Sequence, residues 1–360
     1  MEKITENSTY DEDDSAVVVP PPDVVAYNEL RSCADLFRMY EEGILDIQPD
    51  FQRDVVWSSA AMTRFIDSLM KQLPIPSMCF SLDYKTQRWQ VIDGLQRLSS
   101  IINFLDKNSR WTLSKLKDID QAISGVSVRE FRVPDTPLSL LQRRVENMSI
   151  PITVLRCDYS KPEHSAYLFT IFHRLNTGGV KLNNQEIRNC IFSGRFNDLL
   201  KQLNKNADWI SVTKQKAGSR TRYRWIEQIL RFFAFLDAAD EYTGSLAKFL
   251  NDYMSEHRNI ADQTFALKRS IFDRTAKVLQ SIRSEIPGGQ WNRTILETLM
   301  YGIGSNIDLA ESMNTDQLIQ RVTRLRKCVS LSPAALSFDL SSKEKVTARL
   351  SDAKVIFGGG

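Results

Sequence analysis

Apolar residues at positions 30, 33, 36, 37 and 40 recur at the three- and four-residue spacing of one helix face, so the chain is expected to begin its ordered part with a helix over Tyr27 to Glu42, stopped by Gly43. Ile44 to Ile47 then reads as a short strand, and Gln48 to Arg53 as extended, because Pro49 biases its predecessor away from helix. Ser58 can cap a helix running to about Gln72, which Leu73-Pro74-Ile75-Pro76 ends. Met78 to Tyr84 and Trp89 to Ile92 read as two strands joined by a turn near Lys85-Thr86. Leu95, Leu98, Ile101, Ile102 and Leu105 mark a helix over 95 to 106. Residues Trp111 to Asn147 are less regular, and Ile150 to Cys157 is a further strand. Helices are expected over Lys161 to Leu175 and, from an Asn cap, over Asn183 to Phe192.

Beyond Gly194 strand signals fade and helical periodicity takes over, as in Ile226, Ile229, Leu230, Phe233 and Leu236, then in Phe265 to Ile282 and Ile295 to Ile303. The pattern predicts an α+β domain with a small mixed sheet over residues 25–194 and an all-helical domain over 195–357. Residues 1–24 combine Asp11-Glu12-Asp13-Asp14 with Pro20-Pro21-Pro22 and are expected to be a disordered acidic tail.

Composition removes some classes of function. With 42% hydrophobic and 25% charged residues in 360, the chain reads as an ordinary soluble protein, and its net charge of +3 names no partner. No apolar run of about 18 residues is present, which argues against a membrane span, and the opening residues lack the pattern of a secretory signal. The expectation is a cytoplasmic protein. Five cysteines without Cys-x-x-Cys spacing point to buried thiols, and the three histidines, His164, His173 and His257, stand at no metal-ligand spacing.

The candidate chemistry sits where the strand ending in Ile92-Asp93 meets the helix beginning after Gly94. Backbone N–H groups at a helix start, with the positive end of its dipole, favour an anion, and Arg97 in the first turn can add a charge-assisted fork. Gln96 and Arg97 lie off the apolar stripe and are free to face a ligand, while Asp93 could hold a metal ion or direct a water. Read alone, Asp93-Gly94 is a tight turn and Arg97 a solvated helix residue. Two further polar groups change that balance: Gln52-Arg53 upstream, and Asn176-Thr177-Gly178-Gly179-Val180-Lys181 downstream. The latter lacks the Gly-x-x-x-x-Gly-Lys-Ser/Thr spacing of a Walker loop, and its glycines could simply end one helix. Glu186 and Arg188 stand close enough in sequence to brace it.

These three elements in this order resemble the N-terminal domain of GmrSD-type restriction endonucleases, over roughly residues 28–200. Gln52 and Arg53 match that family's Gln-Arg element, Asp93, Gly94, Gln96 and Arg97 its Asp-Gly-Gln-Gln-Arg element, and Asn176 and Gly179 its Phe-x-x-x-Asn-x-x-Gly element. Leu95 departs from the pattern, standing where the family has its first Gln; a chain so altered could bind nucleotide yet hydrolyse it slowly. The resemblance implies a fold like partition protein B and sulfiredoxin, and a nucleotide-binding, nucleotide-hydrolysing role in a bacterial antiphage or restriction system. On that reading Asp93, Gln96 and Arg97 are catalytic, and Gln52, Arg53, Gly94, Asn176, Gly179 and Lys181 bind the nucleotide. Asp93 would hold Mg²⁺, the cofactors being Mg²⁺ and a nucleoside triphosphate.

The alternative is a DNA-binding module that senses DNA or modified DNA without nucleotide turnover, the same cleft cradling a DNA backbone phosphate or a modified base. Lys214, Lys216, Arg220, Arg222 and Arg224 could neutralise DNA phosphates, with Tyr223 and Trp225 stacking bases; a mobile connection between domains explains the same run equally well. A nuclease acting alone is weaker, since His257 is the only histidine of the helical half and the His and Asn cluster of an HNH nuclease is missing. Cleavage would then come from a separate nuclease subunit, and a second copy of the chain is the remaining candidate partner.

Overall fold

Tyr27 and its neighbours do not begin a helix. In the computed structural model, which describes residues 19–47, 57–175, 183–215, 222–283 and 292–359, Val25–Ser32 is a strand, β1, paired antiparallel along its whole length with Ser149–Cys157 (β5). The helix α1 starts only at Cys33 and runs to Glu41, capped by the Ser32 side chain, which accepts from the Asp35 amide at 3.1 Å. Leu30, which a helix would have buried, is 72% exposed. The helical spacing across 27–33 is therefore coincidental, and pairing with a strand more than a hundred residues away decides the matter. Residues 19–24 are ordered too: Val24 N–H donates to Pro21 O at 3.1 Å, and Asp23 pairs with Lys161 and, at 2.9 Å, with His164 Nε2. The expected tail thus ends before residue 19, and the rest of it lies outside the described residues.

The remaining strands are Leu45–Asp46 (β2), Met78–Asp83 (β3) and Arg88–Asp93 (β4). The sheet order is β1-β5-β3-β4-β2, antiparallel between β1 and β5 and between β3 and β4, parallel between β3 and β5 and between β2 and β4. Ser59–Met70 (α2) follows the predicted cap, Ser58 Oγ accepting from Ala61 N–H at 3.2 Å. Leu95–Leu105 (α3) and Pro137–Asn147 (α4) complete the layer that packs with α1 and α2. Helix α4 lies in the stretch expected to be less regular, an expectation that missed it; the signal that could have found it is Thr136-Pro137 with Ser139, a reciprocal cap with proline at the first helical position. Cys33, Leu36, Ile66, Leu69, Leu98, Ile101, Phe80, Ile150, Ile152 and Val154 form the core between helices and sheet. Each large aliphatic or aromatic among them contributes about 1.5–3 kcal/mol on leaving water. Between α3 and α4 the chain is irregular but pinned: Phe131 meets Phe104 edge-on at 5.2 Å, and Arg132 caps the end of α3 by donating to Phe104 O and Asp106 O. The helix Pro162–Leu175 (α5) carries the buried His164, whose Nδ1 accepts from Asp158 N–H at 3.0 Å.

A second compact unit runs from Asn183. Its described residues form helices Asn184–Ile191 (α6), Arg195–Leu203 (α7), Ala207–Thr213 (α8), Arg222–Ala238 (α9), Leu246–Glu256 (α10), Asp262–Arg283 (α11), Arg293–Ser305 (α12), Ile307–Ser312 (α13), Thr315–Arg326 (α14) and Lys343–Phe357 (α15), with no strand among them. Helix α6 groups with this unit by its contacts. The architecture is thus α+β followed by an all-helical region, as the periodicities predict.

Inside the helical unit the core is partly ionic. Glu227 on α9 accepts from Arg188 (3.2 Å), Arg231 (2.7 Å) and Arg293 (2.7 Å), and Glu297 on α12 pairs with Arg231 (3.4 Å) and Arg349 (2.9 Å). Burial alone would raise the Glu227 carboxyl, but the charges of Arg231, Arg293 and Arg188 overcome it and hold it far below the usual carboxylate range. Arg188 is consequently a core residue of this unit, and Glu186 completes the cap of α6 by accepting from Asn183 N–H at 2.6 Å.

Candidate functional site

Asp93 is the last residue of β4 and lies opposite Cys79 of β3, next to an irregularity in the pairing between Cys79 and Phe80. Gly94 then turns the chain with φ 97° and ψ 10°, a left-handed conformation that glycine adopts without strain. A Cβ at Gly94 would stand 2.6 Å from Met78 Cγ, so the strand-to-helix turn is also packed tightly from beneath. Helix α3 begins at once: Leu98 N–H donates to Gly94 O at 2.9 Å, and no side chain caps the amides of Leu95, Gln96 and Arg97 ahead of it. Helices α1, α2, α4, α6, α8, α12 and α14 are capped by a Ser, Thr or Asn side chain, whereas α7, α10, α13 and α15, like α3, have no side-chain cap bond; α3 differs from these in carrying a carboxylate and a guanidinium paired with each other across its own start.

Arg97 folds back over the turn. Its Nη2 donates to Asp93 Oδ2 at 2.9 Å, and its Nη1 donates to the carbonyls of Pro76 and, at 3.3 Å, Ser77. The arginine side chain is 14% exposed and the aspartate 40%, so the carboxylate is the outer partner. Gln96 Oε1 accepts from the backbone N–H of Trp57 at 3.2 Å, and Trp57 sits edge-on to Phe65 at 5.7 Å. Because the donor is an N–H, this bond fixes the orientation of the Gln96 amide and leaves its nitrogen able to donate. Burial, with a further contribution from the Asp93 charge, pushes the Cys79 thiol up to about 12. The Pro76 and Ser77 carbonyls and the Trp57 amide were invisible to motif reading, since a backbone acceptor carries no sequence signature.

Residues 33–193 match the family described as GmrSD restriction endonuclease, N-terminal domain. This segment belongs to that family. The GmrSD domain so delimited opens at the first residue of α1 and closes just past α6, and the Asp93 to Arg97 turn lies within it. No curated protein and no solved structure matches the chain.

Within the GmrSD domain, the sequence-predicted residues Asp93, Gly94, Gln96 and Arg97 share one turn. Gln52, Arg53, Asn176, Gly179 and Lys181 lie outside the described residues. Among the described residues no three His, Cys, Asp or Glu side chains gather as metal ligands, and Asp93 is the carboxylate at the turn itself. A single exposed carboxylate fits a magnesium ion that keeps waters and substrate phosphate oxygens as its other ligands.

The basic segment falls beyond the GmrSD domain. Lys216 and Arg220 are outside the described residues, as is the side chain of Arg222. Lys214 is exposed at the end of α8, and the Arg224 guanidinium lies 5.7 Å over the Trp225 ring. The aromatics do not form a stacking platform: Tyr223 is 1% exposed, and Trp225 packs edge-on against the buried Trp209 at 6.0 Å. Their helical spacing on α9 serves packing. No helix among the described residues is long and apolar enough to cross a membrane.

Proposed function

We propose that this GmrSD domain binds a nucleoside triphosphate with its phosphates against the turn from Asp93 to Arg97, and hydrolyses it with Mg²⁺ as part of a bacterial antiphage restriction system. The observation that carries the reading is the uncapped start of α3 behind a glycine turn, with a carboxylate and a guanidinium in contact across it. The amides of Leu95, Gln96 and Arg97 receive phosphate oxygen, Arg97 neutralises charge, and the Gln96 amide nitrogen donates to an oxygen while its Oε1 stays on Trp57. Asp93 holds the cation or directs the attacking water. Bound Mg²⁺ would supply charge neutralisation on the phosphate oxygens. Gln52, Arg53, Asn176, Gly179 and Lys181 complete the site by the family resemblance, which is also the sole support for a fold like partition protein B.

Purified protein assayed against the four ribonucleotides with Mg²⁺, with and without DNA, tests this. Binding and phosphate release with at least one nucleotide is expected, and neither with any of the four defeats the reading. Arg97 also ties down the Pro76 and Ser77 carbonyls, so Arg97→Lys, checked by thermal melting, is a cleaner probe than truncation to alanine. Weakened nucleotide binding at an unchanged melting temperature is the outcome that supports the site.

DNA is the natural macromolecular partner of a restriction system, and the exposed Lys214 favours a second reading in which the basic residues Lys214, Lys216, Arg220, Arg222 and Arg224 contact DNA phosphates without nucleotide turnover. DNA affinity that falls steeply with salt, in a protein that hydrolyses none of the four nucleotides, would select it. Strand cleavage then belongs to a separate nuclease subunit.

A further inference from the structure

We infer that Asp93 is a built-in competitor of phosphate for Arg97, so that the anion site at the start of α3 is held shut until the Asp93 charge is neutralised. The inference rests on the nucleotide reading above and concerns how that site is controlled. Among the described residues the ionic contact of Arg97 is with Asp93, Nη2 to Oδ2 at 2.9 Å, and its Nη1 donates to the neutral carbonyls of Pro76 and Ser77. A phosphate oxygen arriving at Nη2 therefore meets a carboxylate already in place. Within the turn itself the Asp93 charge offsets that of Arg97, so this pair adds no net positive charge to the helix-start amides.

Burial decides which partner yields. Arg97 is 14% exposed and anchored on two carbonyls, whereas Asp93 is 40% exposed and open to water on its outer side. A divalent cation on that outer face would turn a repelling carboxylate into part of a positive centre, while Arg97 stays where the carbonyls hold it. Cation and phosphate should then promote each other's binding by the same factor, because the coupling between two sites is reciprocal.

Asp93→Asn separates this from a purely metal-binding role, since the amide keeps an oxygen that accepts from Arg97 Nη2 but carries no charge. The probe is inorganic tripolyphosphate, titrated calorimetrically into the full chain in EDTA and again in Mg²⁺. In EDTA the Asn variant is expected to bind about ten-fold more tightly than the parent, the usual scale for removing one like charge beside a partly exposed anion site. Adding Mg²⁺ should tighten the parent much more than the variant, a comparison in which chelation by the probe cancels. Equal or weaker binding by the variant in EDTA, with the parent binding tripolyphosphate, overturns the inference and leaves the nucleotide site standing. If neither protein binds tripolyphosphate or any ribonucleotide while both melt normally, the site reading itself falls and the inference with it. Asp93→Ser, which also removes the charge, takes the place of the Asn variant should that one fail to fold.

Discussion

Replacing Gly94 by alanine tests whether the turn that precedes α3 is built by sterics. Two effects act at this position. The backbone has φ 97°, where a side chain is strained, and the added Cβ would come within 2.6 Å of Met78 Cγ and 2.9 Å of Met78 Cβ. The second atom belongs to the stem of a fully buried strand residue, so it cannot swing away. Left-handed backbone costs a residue with a side chain about 1–2 kcal/mol, and forcing an extra methyl into a packed core about 1–3 kcal/mol, giving about 2–5 kcal/mol for Gly94→Ala. Gly43 supplies the control within the same unit: its φ is +68°, yet nothing lies within 4 Å of its Cβ position, so Gly43→Ala should show the backbone cost of about 1–2 kcal/mol alone. Urea unfolding of both variants, followed by tryptophan fluorescence and far-ultraviolet dichroism, reads the difference. Equal destabilisation would refute the claim that Met78 closes the space under the turn, and a loss below about 0.5 kcal/mol at Gly94 would refute both contributions.

Three further outcomes follow from the charged groups. Glu227→Ala leaves three arginines around an empty acidic position and should cost about 3–5 kcal/mol in urea unfolding, since it strands buried charge; a loss under about 1 kcal/mol would show that the network is not held by this carboxylate. The folded Glu227 carboxyl is lowered, so its contribution is present above the ordinary glutamate range and fades as pH falls through and below it, and the variant should lose less stability than the parent on acidification. Lys161 and His164 lower Asp23 from 3.8 to about 2, which places the clamp on residues 19–24 fully in force above the higher value and releases it as pH drops towards the lower. A carbon-detected titration of Asp23 should find its midpoint near the lower value, with exchange of the Val24 amide accelerating in step; a midpoint at the ordinary value would show that the clamp does not exist in solution.

Much of this architecture could be read from residues close together in the chain. Ser58 and Asn183 cap the helices that follow them, Asp93-Gly94 stands at the junction of strand and helix, and the stripe from Leu98 to Leu105 faces the core, because caps, turns and amphipathic faces are properties of a few consecutive residues. Helix α4 was legible from Thr136-Pro137 but obscured by its irregular approach. The strand β1 was not legible, since its partner β5 lies over a hundred residues away and its own spacing mimics a helix face. Trp225 and Tyr223 likewise have the composition of a stacking surface, and only the packing of Trp209 against α9 shows which way they are turned.

Sequence alone therefore determined the order of α+β and helical parts, the GmrSD family of residues 33–193 and the position of the turn at Asp93 to Arg97, all of which depend on local pattern. Tertiary structure decided what those residues do to one another: that Arg97 is satisfied by Asp93 and two backbone carbonyls, that Gln96 is tied to Trp57, and that Arg188 is a core residue of the helical unit. The physical reason is that a charged side chain must find its compensation in space, and its nearest acceptor is often a backbone carbonyl or a carboxylate that no sequence spacing encodes.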